Sequence, residues 1–142
     1  KAMYVVEAKD YSGWVFGSES SKYWTQTFPT EKYQFYNPIM QNQTHIYILN
    51  KLTNVNKLIP VFNIIVFGNS VELKDVTCKS DCRVIYLYQL KSTIYKLDKN
   101  IEKSIQSFEQ AKIVDAIFFL NIEDKNRRME HIERLKSKYG TN

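Results

Sequence analysis

Between Ile59 and Phe67 the chain is almost continuously apolar, with Val61, Phe62, Ile64, Ile65 and Val66 around a single polar residue, Asn63. A run of this length falls well short of the roughly 18 residues needed to cross a bilayer. Rich in β-branched residues and closed by Gly68-Asn69-Ser70, it reads as a central strand covered on both faces. Such a strand needs strands beside it and further layers above and below, which places the chain among mixed α/β sandwiches.

The remaining elements fit that class. Tyr4 to Lys9 reads as a strand, Ser12-Gly13 as a turn and Trp14 to Phe16 as the returning strand. Tyr23 to Phe28 and Tyr33 to Tyr36 read as a hairpin across Pro29-Thr30-Glu31-Lys32. Asn37-Pro38 has the chemistry of a helix start, Asn as cap and Pro in the first turn. Helical spacing then runs from Ile39 to about Leu52 and places Gln41, His45, Ile48 and Leu52 near one face.

After the central run come a short extended piece at Val71 to Leu73, a strand at Arg83 to Tyr88 and a short helix marked by Leu90, Ile94 and Leu97. A polar link follows. Then come a helix from Phe108 to Leu120, with Ser107 and Gln110 as its capping box, and a charged helix from about Asp124 to Lys138. We therefore expect a core over residues 1–97 and a helical extension over 98–142 packed on it.

With 142 residues the chain has the length of one domain. Its net charge of +5 suits an acidic partner such as DNA, although charge alone is weak grounds. No stretch is long and apolar enough for a membrane span, so the expected location is cytoplasmic and no membrane partner is expected. Cys78 and Cys82 sit in a polar loop with no nearby His, and are expected to be two reduced thiols rather than a zinc site.

Glu7 and Lys9 lie two residues apart on the first strand, so they project to the same side at a spacing of about 7 Å. An acid and an amine together on a mostly apolar strand are costly unless they act together. Asp10 follows Lys9 and points the other way.

The ordered series Glu7-Ala8-Lys9-Asp10-Tyr11-Ser12-Gly13-Trp14-Val15-Phe16-Gly17, then Tyr23-Trp24-Thr25-Gln26, then Phe35-Tyr36-Asn37-Pro38-Ile39-Met40-Gln41-Asn42 resembles the nuclease-related domain (NERD) family, over roughly residues 3 to 90. That family looks like a branch of the restriction-endonuclease-like PD-(D/E)xK superfamily. The resemblance implies a central mixed β-sheet flanked by helices, with extra C-terminal helices here, and divalent-metal-dependent phosphodiester hydrolysis of DNA.

By the same resemblance, Glu7 matches the second acidic metal ligand, Lys9 the motif lysine and Gln41 the glutamine after Asn-Pro. The backbone carbonyl of Ala8 would be a further oxygen ligand for Mg²⁺, with Mn²⁺ as a substitute. The family's first acidic residue lies on a preceding strand, and its place is expected upstream of Lys1. His45 is expected to pack as an ordinary helix residue, the aromatics Trp14, Trp24, Tyr33, Phe35 and Tyr36 to fill core and hairpin, and the Lys/Arg of the last helix to form a solvated face. The alternatives are a non-catalytic nucleic-acid-binding module and a protein-interaction module of the same fold. A homodimer is open, because superfamily members that cut both strands often pair.

Overall fold

The fold is that of a computed structural model describing residues 1–79, 81–102 and 104–119, together with Met129, Glu130 and Glu133. The α/β class is borne out. Among the described residues seven strands are divided between two sheets, with three helices beside them. The expected helix from Asp124 to Lys138 lies outside the described residues apart from those three positions.

One sheet is three-stranded and parallel, in the order β1 (Met3–Lys9), β5 (Val61–Phe67), β7 (Cys82–Tyr86). The apolar run is its middle strand, and residues 63–67 are buried, as a doubly covered strand requires. The second sheet has the order β4 (Lys32–Tyr36), β3 (Tyr23–Thr27), β2 (Gly13–Ser18), β6 (Val71–Thr77).

The sequence reading expected Trp14 to Phe16 to return alongside the first strand. The structure corrects this. Gly13 at φ +75° redirects the chain, and β2 leaves to pair antiparallel with β3 and parallel with β6. The extended piece at Val71 is also longer than expected and carries a bulge where Phe16 pairs with Asp75. Between the sheets lies a core of Val15, Trp24, Ile39, Ile65, Phe67 and Val71, with the Trp24 and Phe67 rings stacked at 6.2 Å.

Helix α1 (Pro38–Thr53) starts where Asn-Pro placed it. The Asn37 carboxamide oxygen accepts from the Ile39 N–H, and its NH₂ donates to the carbonyls of Ser18, Glu19 and Ser21. The cap thus also ties the helix start to the turn between β2 and β3. The face shared by Gln41, His45, Ile48 and Leu52 is not the buried one: Ile48 and Leu52 are exposed, whereas Ile39 and Asn42 are buried.

The reason is polar. Asn42 Nδ2 donates to the Val5 carbonyl (2.7 Å) and to Asn63 Oδ1 (2.8 Å), and Asn63 Nδ2 donates to the Ile39 carbonyl (3.2 Å). These bonds give both buried amide NH₂ groups partners inside the core, while Asn42 Oδ1 finds none among the described residues. The lone polar residue of the central strand therefore sets how α1 is rotated on the sheet.

Helix α2 (Leu90–Lys99) follows a single 3₁₀ turn at Leu87–Gln89, where a continuing strand to Tyr88 was expected. Its end is tied to the start of β1: Tyr4 Oη donates to Asp98 Oδ1 (2.7 Å) and Lys1 Nζ to the Ile101 carbonyl (2.8 Å). Helix α3 (Ser107–Phe119) packs on α1 and buries Ile113. Its N-terminal box is shifted one residue from the expected Ser107/Gln110 pair, with the Glu109 carboxylate accepting from the Gln106 N–H at 3.3 Å.

The thiol expectation is corrected as well. Cys78 and Cys82 are joined as a disulfide that closes the short connection from β6 to β7. Among the described residues no helix is long and apolar enough to cross a membrane.

Candidate functional site

The end of β1 and the first turn of α1 converge on one place. Strand alternation puts Val5, Glu7 and Lys9 on the side of the parallel sheet that faces α1, while Val6 and Ala8 turn outward and are exposed. In the parallel register Glu7 lies beside Ile65 and Lys9 beside Phe67, both wholly buried. The acid and the amine therefore sit on the core side of the sheet, with their side chains only 13% and 16% exposed.

At such burial a charge left unpaired is costly, and their pairing offsets that cost. Lys9 Nζ lies 2.8 Å from Glu7 Oε1 and donates to Gln41 Oε1 at 3.0 Å. The three residues singled out from the sequence are thus brought together, and Gln41 bridges from the helix 32 residues away. Its backbone N–H closes the first turn on the Asn37 carbonyl at 3.0 Å, so the cap and the site share one rigid turn.

One participant escaped the sequence reading. His45, expected to be a packed helix residue, is half exposed, and its Nδ1 lies 3.6 Å from Glu7 Oε2. The signal was available in the spacing, since Gln41 and His45 are four residues apart and share a helix face. What could not be read was that this face meets the end of β1. Asp10 is directed elsewhere, as expected: its carboxylate lies against Gly68, next to where the Gly68 N–H donates to the Lys9 carbonyl.

The donor set can be tested against a hard divalent cation. Such an ion takes oxygen ligands, commonly one or two carboxylates completed by substrate phosphate and water. Glu7 supplies one carboxylate. The Lys9 carbonyl is engaged towards β5, and alternation along the ladder directs the Ala8 carbonyl the other way, to the edge that β1 forms among the described residues. Both are oxygen donors of the right kind. Glu7 is part of no cluster of three acidic, His or Cys ligand atoms among the described residues, and no acidic residue precedes it in residues 1–6. The set fits a hard cation at its minimum, with one carboxylate.

A family model described as "Nuclease-related domain" matches residues 1–68, which include Glu7, Ala8, Lys9, Gln41, Asn42, His45 and Asn63. An uncharacterized protein of Bacillus anthracis is 30% identical over 139 residues, covering 97% of this chain. The chain spans 63% of that relative's length. No solved structure matches it.

Proposed function

We propose, on the premise that residues 1–68 are a nuclease-related domain, that the chain hydrolyses phosphodiester bonds of DNA at the junction of β1 and α1. The observation that carries this reading is the Lys9 ammonium held between Glu7 Oε1 and Gln41 Oε1 on the core side of the sheet. A surface ion pair would be solvated and worth little. A half-buried amine aimed at one spot by two oxygens is fitted to meet an anion there.

In this reading the Glu7 carboxylate and the Ala8 carbonyl hold Mg²⁺, with Mn²⁺ as a substitute. When bound, the cation neutralises phosphate charge and supplies a water of lowered pKa. Lys9 has the charge to orient the attacking water or to stabilise charge building on the phosphorane oxygens. The Gln41 oxygen fixes the ammonium, leaving its amide NH₂ free of that contact and turned to the task of holding a phosphate oxygen. The positive end of α1 favours the same anion. His45 steadies Glu7 from the solvent side.

The test is cleavage of plasmid and linear DNA by the chain with Mg²⁺ or Mn²⁺, beside Glu7→Ala and Lys9→Ala. The expected result is metal-dependent cleavage that each substitution abolishes. Equal cleavage by all three proteins, or none by the protein with its first acidic residue present, would overturn the reading. A second reading is a nucleic-acid-binding module without catalysis, for which the net charge of +5 suits an acidic partner. Binding of DNA without cleavage under every metal condition is its signature.

A further inference from the structure

We infer that the outer face of the four-stranded sheet is a stacking platform for single-stranded nucleic acid. Along β2, β3 and β4 the residues facing away from the core are Trp14 and Phe16, Tyr23, and Tyr36, as fixed by alternation and by the pairing of Phe16 with Thr25 and of Tyr23 with Tyr36. They form a diagonal band. Tyr23 and Tyr36 meet edge to face at 6.2 Å, and Phe16 lies one step along the sheet from Tyr23 and two residues from Trp14. Trp14 and Tyr23 are each 50% exposed and Tyr36 43%, whereas Trp24 on the opposite face is fully buried.

Exposed rings of this kind cost free energy in water and suit a flat, unsaturated partner. Between them stand Thr25, Thr27 and Gln34, which offer hydrogen bonds rather than aliphatic surface. Ring faces set among such hydrogen-bonding groups offer stacking surfaces and polar contacts for unpaired bases.

Charge points the same way. Lys74 Nζ lies over the Trp14 ring at 5.0 Å and Lys22 Nζ over the Tyr23 ring at 5.5 Å, with Lys32 on the same face. The bulge in β6 is what turns both Lys74 and Asp75 outward. The acids present are Glu72, which pairs with Lys74 at 2.5 Å, and Asp75. The balance on this face is positive by one, three lysines against two carboxylates, within a chain of net charge +5. The band also begins beside the candidate site, since only Asp10 to Ser12 separate Lys9 from β2.

This deepens the nuclease reading by naming the strand state of its substrate, and rests on that reading for the direction in which a bound strand would run. Binding is measured without metal, so the two stand or fall separately. The metal-free chain is titrated with oligodeoxythymidylate of about 12 nucleotides, within the usual range for such sites, and with a duplex of equal length. Tryptophan fluorescence and oligonucleotide anisotropy are read together.

The expected result is quenching that Trp14→Phe removes while Trp24 emission persists. Tyr23→Ala and Tyr36→Ala should each weaken binding about tenfold, with Tyr→Phe at either position restoring it. Duplex bound as tightly as single strand, or affinity indifferent to Tyr23 and Tyr36 in folded variants, would overturn the proposal. So would Trp14 burial that follows protein concentration without oligonucleotide, which would assign the face to a second copy of the chain.

Discussion

Gln41 accepts a hydrogen bond from the Lys9 ammonium at 3.0 Å, joining the first turn of α1 to the last residue of β1. Lys9 is therefore aimed from outside its own strand. Gln41→Ala should lower cleavage about 100-fold, the scale on which misplacing a reacting group by an ångström acts. Stability should fall by only about 1 kcal/mol for the lost bond. Cleavage rates and urea midpoints on the same preparation check both, and a variant of unchanged rate would remove Gln41 from the site.

Asn63 and Asn42 form the polar contact that sets the rotation of α1. Asn63→Ala leaves the Asn42 NH₂ with one partner fewer inside the core and should cost about 1–3 kcal/mol, read as a melting point several degrees lower. Replacing both residues by Leu removes both polar groups together, so its cost should be less than the sum of the two single substitutions. Strictly additive losses would contradict a coupled pair.

A Cβ on Gly17 would lie 2.3 Å from the ring of the fully buried Trp24. The indole is stacked on Phe67 and its Nε1 donates to the Ser18 carbonyl at 2.9 Å, so it has no room to yield. Gly17→Ala should destabilise the chain by about 1–3 kcal/mol, the usual cost of overpacking. A blue-shifted Trp24 emission retained with no loss of stability would show that the core can give way.

Burial first, then the hydrogen bond to Asp98, pushes the Tyr4 phenol up to about 12, and the same bond holds the Asp98 carboxyl below its ordinary range. The raised phenol stabilises the fold fully below the ordinary tyrosine value near 10 and loses that contribution as pH rises towards 12. The lowered carboxyl contributes above the ordinary aspartate value near 4 and loses its contribution as pH falls through its folded value. Tyr4→Phe should therefore cost most near neutrality, and the gap from the unsubstituted chain should narrow at both extremes. Denaturant midpoints of the two proteins across pH test this, and a constant gap would rule the linkage out.

The residues of the candidate site were legible in the sequence because they lie in an ordered motif: Glu7 and Lys9 by strand alternation, Gln41 by its place after Asn37-Pro38. The central strand was legible too, since a continuous apolar run of that length has few other places to go. His45 was not, and neither was the inward face of α1. That helix carries apolar residues on more than one side, so periodicity did not single out Ile39 and Asn42 over Ile48 and Leu52. The choice was made by an Asn on a strand 21 residues away.

Local chemistry, then, determined which segments are strands and helices, where α1 begins and which way Glu7 and Lys9 point, because these depend on a few neighbouring dihedrals and side chains. Tertiary structure decided the rest. It split the strands into two sheets at Gly13, joined Cys78 to Cys82, brought His45 to Glu7 and left Trp14, Tyr23 and Tyr36 exposed on one face. Each of these depends on partners distant in sequence or on a choice between neighbouring pairings, and such choices are settled only when the whole core is packed at once.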